Sequence, residues 1–123
     1  AELKGGGKAM AEQTKRKRVG ETRAVEYMPG AFRTTLFFNE QTMLCHFRLK
    51  KGVRIPMHQH VAAQNGYVVK GRAKFMRQNG EELSVQPGDG YLFESNEIHG
   101  AEVLEDSEWI ECFTPMRPEY VDE

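Results

Sequence analysis

The sequence lacks most of the features that would place a chain in a membrane, a nucleic-acid complex or a disulfide-stapled fold. It has only two cysteines among 123 residues, too few for a disulfide framework. No apolar run approaches the roughly 20 residues that a membrane-spanning helix needs. The net charge of −1 gives no electrostatic reason to expect a nucleic acid or an anionic membrane as a partner.

Targeting and helical signals are missing as well. Residues 1–18 contain no apolar segment of the kind found in a secretory signal peptide. No window of the sequence shows helical periodicity. We therefore predict a cytoplasmic protein in which Cys45 and Cys112 are small buried residues in strands.

The length of 123 residues indicates a single domain. We predict a flexible N-terminal tail over residues 1–20 and a folded domain over residues 21–123. Residues 1–9 contain a glycine triplet and are expected to derive from cloning, with Met10 as the native start. The basic run at residues 14–18 is predicted to be solvated, the alternative being a contact with a polyanion.

Short segments of strand-forming residues alternate with turn signals along the chain. Asn79-Gly80 indicates a hairpin, and the Pro-Gly-Asp-Gly sequence at residues 87–90 indicates a turn. The pattern predicts nine or ten strands in an all-β sandwich or barrel. Alternation over residues 42–49 puts apolar side chains on one face and His46 on the other, so we predict His46 to be a surface or interface residue and not a metal ligand.

Two histidines one residue apart give the main functional signal. In a strand, residues i and i+2 face the same side, so His58 and His60 would project together. Gln64 lies four positions beyond His60, and His99 follows the turn at residues 87–90. Three imidazoles and one oxygen suit Zn, Ni, Mn, Fe or Co. We predict that these four side chains bind one such divalent metal ion.

Alternatives to this metal site remain open from the residues alone. The histidines could be two exposed loop residues and one half-buried residue, and Gln64 could hydrogen-bond nearby while three histidines hold the metal. If Gln64 does bind the metal, its neutral oxygen leaves the ion with its full +2 charge. Such an ion attracts anionic ligands and polarises a carbonyl, which favours a small anionic substrate.

The last predicted strand carries a candidate catalytic acid. By alternation, Trp109, Glu111 and Phe113 share one face. If that face lines a cavity, desolvation raises the pKa of Glu111 and makes it a candidate general acid/base. Arg117, four residues beyond Phe113, could then pair with a substrate carboxylate. The alternative is that Glu111 lies on the surface and Arg117 in a solvated tail.

These residues have the spacing of the two motifs of the cupin family, which the chain resembles over residues 35–115. The motif residues follow the pattern Gly52-(five)-His58-x-His60-(three)-Gln64-(six)-Gly71 and then Gly88-(five)-Glu94-x-Asn96-(two)-His99. Gln64 stands where most cupins have Glu, and Glu94, Asn96 and Val103 stand where the second motif has Pro, Gly and Asn. The resemblance implies a double-stranded β-helix, a single-domain jelly-roll barrel. It also implies a homodimer, for which the apolar residues 36–38 are a candidate interface, the alternative being that they pack in the core.

A closer resemblance is to the small cupins of pectin and alginate breakdown, which convert 4,5-unsaturated monouronates into linear keto sugars. It is carried by the sequence His58-x-His60-(three)-Gln64-x-Gly66-Tyr67-Val68-Val69-x-Gly71 and by an acid followed by Phe113, Pro115 and Arg117. The resemblance implies a metal bound by His58, His60, Gln64 and His99, and catalytic roles for Glu111, Phe113 and Arg117. Glu111 stands where that group usually has Asp.

The function implied is that of a metal-dependent sugar-acid isomerase or lyase-like enzyme in carbohydrate metabolism. One alternative is a metal-dependent dioxygenase acting on a small organic substrate. Another is a non-catalytic cupin that binds a small anion as a sensor. Oxygen consumption would distinguish the first alternative, and ligand retention without turnover would distinguish the second.

Overall fold

The computed structural model describes residues 15–122, which form ten β-strands and two short 3-10 helices. The strands are β1 (Val25–Met28), β2 (Ala31–Phe38), β3 (Met43–Leu49), β4 (Arg54–His58), β5 (Ala63–Lys70), β6 (Ala73–Arg77), β7 (Glu82–Val85), β8 (Gly90–Phe93), β9 (His99–Val103) and β10 (Ser107–Thr114). The 3-10 helices are Val19–Glu21 and Pro118–Tyr120. Within this range, no helix has the length and apolar character needed to cross a bilayer. The predictions of an all-β fold and of nine or ten strands are confirmed.

The strands form two antiparallel sheets that enclose the core. The larger sheet has the order β1-β2-β3-β10-β5-β8, and the smaller has the order β4-β9-β6-β7. Their inner faces supply the largest fully buried side chains, which are Trp109, Phe75, Phe93, Phe113, Met43, Val68, Val103 and Cys45. Because β10 lies between β3 and β5, its inward-facing residues project into the middle of the barrel.

Two residues of the larger sheet differ from the prediction in how deeply they are buried. His46 lies on the outer face of β3 as expected, but it is only 6% exposed. The flanking strands place Thr34 and Ile110 directly beside it, and its Nε2 lies 2.5 Å from a carboxylate oxygen of Glu108. Cys112, expected to be buried, is exposed. Alternation along β10 turns its neighbours inward and Cys112 outward, whereas Cys45 is buried as predicted.

The N-terminal predictions fall largely beyond the described residues. Residues 1–14, including the expected start at Met10, lie outside them, so the predicted tail remains a prediction. Residues 15–18 of the basic run are exposed. Among them, the Lys17 ammonium lies 4.7 Å from the centre of the Phe37 ring on β2.

Candidate metal centre and acid site

Three histidines converge between strands β4 and β9. His58 is the last residue of β4 and pairs directly with His99, the first residue of β9. His60 lies just beyond the end of β4, so the expectation that both members of the pair lie within one strand is wrong. The side chains nevertheless converge, because one ring nitrogen from each histidine lies within 4.8 Å of those of the other two.

Backbone carbonyls fix the orientation of all three rings. The Nδ1 atoms of His58, His60 and His99 lie 2.8, 2.7 and 2.8 Å from the carbonyl oxygens of Pro56, Ala62 and Glu97. A carbonyl oxygen only accepts hydrogen bonds, so each Nδ1 carries a proton. In the neutral form of a ring held in this way, Nε2 carries the free lone pair that a metal-bound imidazole requires.

Gln64 brings an oxygen to the same point. Its Oε1 lies 3.1 Å from Nε2 of His60 and 3.2 Å from Nε2 of His99. When these two rings are neutral and protonated on Nδ1, the lone pair of each Nε2 faces a lone pair of the Gln64 oxygen. Acceptors at that distance repel each other unless a cation lies between them. The donor set of three imidazole nitrogens and one amide oxygen therefore fits a divalent transition metal.

Burial keeps two of these rings neutral at physiological pH. Desolvation lowers the pKa of His99 to about 4, and the neighbouring histidines add to the effect. Desolvation and the positive charge of Arg117 lower the pKa of His60. Protons therefore compete weakly with a metal ion for these nitrogens. The ring of His99 is also held by stacking on Phe93, with centroids 4.4 Å apart.

Glu111 lies inside the barrel and not on the surface. It is 4% exposed and is flanked along β10 by the buried Trp109 and Phe113, as the alternation predicts. Desolvation raises the pKa of Glu111 to about 7, opposed by hydrogen bonds from Tyr91 and Gln64. The predicted direction of the shift is thus confirmed. A carboxyl group with this pKa can both donate and accept a proton near neutrality.

The carboxylate of Glu111 accepts a hydrogen bond from Tyr91, a residue that the sequence analysis did not single out. Its Oε2 accepts a hydrogen bond from the Tyr91 hydroxyl at 2.5 Å and another from Nε2 of Gln64 at 2.9 Å. Glu111 thereby contacts the amide whose oxygen faces the imidazoles. Tyr91 follows the turn at residues 87–90, but nothing in its local sequence shows that β8 brings it to Glu111.

Arg117 packs at the edge of the same cavity. Its guanidinium carbon lies 4.1 Å from the ring centre of Tyr120 and 5.1 Å from that of Phe113. Its Nε and Nη2 donate to a carboxylate oxygen of Glu119 at 3.2 and 3.0 Å. The side chain is 11% exposed, so Arg117 does not belong to a solvated tail. Phe113 is fully buried, and its ring centroid lies 6.0 Å from that of His60.

The segment that carries Arg117 is tied back onto the barrel. Arg33, buried on β2, pairs with the carboxylate of Asp122, and its guanidinium lies 4.5 Å from the ring centre of Tyr120. The hydroxyl of Thr35 donates to the backbone carbonyl of Tyr120 at 2.8 Å. These contacts, at the last residue of the final 3-10 helix and just beyond it, hold the segment of Arg117 against the barrel.

A narrow cavity lies between the candidate metal ligands, Glu111 and Arg117. Its lining includes His58, Gln64, His99, Trp109, Glu111, Arg117 and Tyr120. It offers about 30 Å³ of room for water-sized molecules, enough for a water or a metal ion but not for a whole sugar. Among the described residues, the buried indole N–H of Trp109 has no acceptor in the protein, which leaves this donor to a bound water or ligand.

The fold and site together define a small antiparallel β-barrel with a candidate metal centre and a buried acid in its interior. The chain matches the cupin domain family over residues 45–111, more than half of its length. The protein therefore belongs to the cupin family, as its two motifs predict.

Comparison with individual proteins narrows the resemblance. The chain is 29% identical over 103 residues to the pectin degradation protein KdgF of Dickeya dadantii (strain 3937), covering 82% of this chain and 93% of the relative. The structure of KdgF from Halomonas sp. superposes with a TM-score of 0.82 at 28% identity, covering 89% of this chain and all of the other. An RmlC-like cupin from Shewanella frigidimarina superposes with a TM-score of 0.83 at 25% identity, covering 89% of this chain and 97% of the other.

Proposed function

We propose that this protein is a metal-dependent isomerase that converts a 4,5-unsaturated monouronate, or a closely related small sugar acid, into its linear keto form. One observation carries the proposal: Glu111, with its pKa near 7, contacts the side chain that completes the candidate metal shell. The similarity to two KdgF proteins, one of them named for pectin degradation, supports the choice of substrate class.

The metal would be held by His58, His60, His99 and Gln64. When bound, a divalent ion supplies a Lewis acid that polarises a carboxylate or carbonyl oxygen of the substrate. The neutral ligand set leaves its +2 charge uncompensated, which favours an anionic substrate. The metal itself is one of Zn, Ni, Mn, Fe and Co, all of which suit three nitrogens and one oxygen.

Glu111 would move the proton. In the ring-opened enol, the double bond joins C4 and C5, and C5 carries the hydroxyl group. The hydroxyl proton leaves, C5–O becomes a carbonyl and C4 gains a proton, so no atoms or electrons are gained or lost overall. The carboxyl form of Glu111 donates its proton to C4. The carboxylate that remains then takes up the proton lost from the hydroxyl, which restores the carboxyl form. General acid/base catalysis of this kind contributes about 10²- to 10⁴-fold.

Arg117 would hold the sugar acid at the cavity mouth. Since the cavity has room for little more than a water or a metal ion, the substrate lies partly outside it, against the segment that carries Arg117. The guanidinium would exchange its bond with the exposed carboxylate of Glu119 for one with the substrate carboxylate. Phe113 is fully buried and would shape the site from the core, where it packs beside His60 and under Arg117.

A ketonisation assay tests this function. A lyase generates the unsaturated monouronate, metal-loaded protein is added, and loss of the unsaturated species is followed against the rate without protein. We expect faster loss that Glu111→Gln and His99→Ala both abolish. Tyr67→Phe, a change of similar size on the exposed outer face of β5, serves as the control and should retain the rate.

A wild-type rate equal to the rate without protein would refute the uronate function. Oxygen uptake would then favour the dioxygenase alternative, and retention of a small anion without turnover would favour a binding protein. Cytoplasmic localisation and a homodimer remain predictions beside this function.

A further inference from the structure

Three residues from three neighbouring strands lie in one row on the inner face of the larger sheet. Gly66 on β5 pairs with Glu111 on β10 at one side and with Tyr91 on β8 at the other. Tyr91 and Glu111 are therefore separated by a whole strand. Gln64, the candidate metal ligand, is the next inward-facing residue of β5.

The glycine at the centre of this row lets the two outer side chains meet. A Cβ atom at position 66 would lie 2.1 Å from Cζ of Tyr91 and 2.4 Å from its hydroxyl oxygen. Real atoms do not approach so closely, so the tyrosine ring occupies the space that any other residue at position 66 would fill. Across this gap the Tyr91 hydroxyl reaches Oε2 of Glu111 at 2.5 Å.

The hydrogen bonds of the row have a fixed direction. The Tyr91 hydroxyl donates to Oε2 of Glu111, which accepts whether or not the other carboxyl oxygen carries a proton. The same Oε2 also faces the amide of Gln64 at 2.9 Å, and only the NH₂ end of that amide can donate to it. The amide oxygen of Gln64 must therefore point the other way, toward Nε2 of His60 and His99.

We propose that Tyr91 is a positioning residue for the metal centre: acting through Glu111, it locks the Gln64 amide with its oxygen toward the metal and so sets metal affinity. This inference rests on the metal site of the proposed function. It also gives a reason for an amide where most cupins have a carboxylate. A glutamate at position 64 could offer the metal an oxygen, but as a carboxylate it could not donate to Glu111.

Metal binding tests the inference without any assay of activity. The dissociation constant for Zn²⁺ is measured by competition with a chromophoric chelator, and the visible spectrum of the Co²⁺-loaded protein reports the ligand set. Tyr91→Phe keeps the ring that packs 4.5 Å from Phe75 and removes only the hydroxyl. We expect it to weaken Zn²⁺ binding about tenfold, the effect typical of groups that orient metal ligands, and to shift the Co²⁺ spectrum.

A double variant separates this role from a general loss of packing. Glu111→Met should weaken Zn²⁺ binding at least as much as Tyr91→Phe does. Because Tyr91 acts through Glu111, adding Tyr91→Phe to Glu111→Met should cause no further loss. Tyr67→Phe, the same chemical change on the outer face of the same sheet, should leave both the affinity and the Co²⁺ spectrum unchanged, and thermal melts show that every variant is folded.

The results discriminate between this inference and the proposed function. Wild-type affinity and spectrum in Tyr91→Phe, or additive losses in the double variant, would overturn the positioning role alone. A wild-type protein that binds neither ion would overturn both proposals. A wild-type protein that shows these metal effects but no ketonisation would support the positioning role and refute the uronate function.

Discussion

The side chains of Tyr91 and Glu111 meet at 2.5 Å although a complete strand, β5, lies between their own strands. The contact exists because position 66, in the middle, has no side chain. It ties the candidate proton donor to an aromatic cluster, in which the Tyr91 ring lies 4.5 Å from Phe75 and 6.0 Å from Phe93. The position of the acid is thus set by packing as well as by hydrogen bonding.

Gly66→Ala is predicted to disrupt this contact. The added methyl group would overlap the Tyr91 ring, and overpacking of this kind costs about 1–3 kcal/mol. The free energy of unfolding, measured by urea denaturation, should fall by that amount, and Zn²⁺ affinity should fall with it. Gly90→Ala is the control, because its methyl group would lie at an ordinary 3.6 Å from the Gly66 carbonyl oxygen. Equal stabilities for the two alanine variants would contradict the prediction.

The buried carboxyl of Glu111 should make stability depend on pH. Burial raises the folded-state pKa from 4.5 to about 7, so the folded state binds the proton more tightly than the unfolded chain. This contribution is fully present below pH 4.5 and is lost as the pH rises through about 7. The free energy of unfolding of metal-free wild type, minus that of Glu111→Gln, should therefore fall by about 3 kcal/mol across this window.

His99 does not disturb that comparison, because its lowered pKa affects wild type and variant alike. The measurement is a series of urea denaturations between pH 4 and pH 8 in the presence of a chelator. Above pH 7 the difference should be constant. A difference that stays constant across the whole range would show that Glu111 titrates normally.

Arg117→Met is predicted to lower kcat/KM strongly and to lower the stability of the fold much less. Removing a charged hydrogen bond to the substrate carboxylate costs about 1.5–3 kcal/mol, or about 10- to 100-fold in kcat/KM. Arg48→Met is the matched control, since Arg48 also lies over an aromatic ring, that of Phe32, but outside the cavity. Similar losses of kcat/KM in the two variants, measured by steady-state kinetics, would show that Arg117 does not bind the substrate.

The homodimer implied by the family resemblance is tested at Phe38. This residue ends β2, is 42% exposed and belongs to the apolar segment 36–38 that is the candidate interface. Light scattering after gel filtration should give twice the 14.1 kDa chain mass for the wild type and the monomer mass for Phe38→Asp. Asn39→Asp adds the same charge at the next position in the sequence, and this control variant should remain dimeric. Wild-type mass in Phe38→Asp would place any interface elsewhere.

The sequence predicted those parts of the site that depend on local pattern. The spacing from His58 to Gln64 and the later His99 identified side chains that the structure brings together, and alternation along β10 put Glu111 on an apolar face. The detail that failed was local as well: β4 ends at His58, so His60 reaches the site from the following connection. Fixed ring orientation by backbone carbonyls, and not a shared strand face, makes the three rings converge.

What the sequence could not predict depends on strand order. Tyr91 meets Glu111 only because β5 lies between β8 and β10 with Gly66 in register. His46 is buried because β2 and β10 flank its strand. Cys112 is a different case, because alternation along β10 does point it outward and only the usual burial of cysteine predicts otherwise. Register and strand order arise from long-range packing, which local periodicity does not encode.

The proton transfer by Glu111 is tested most directly by the configuration of the deuterium-labelled carbon C4 in the product formed in D₂O. If Glu111 delivers the proton to C4 from a fixed position in the barrel, NMR of the product from metal-loaded wild-type protein should show one deuterium at C4 in a single configuration. Glu111→Gln should give the mixture of configurations formed without protein. The same mixture from the wild-type protein would show that the buried carboxyl of Glu111 does not carry out the proton transfer.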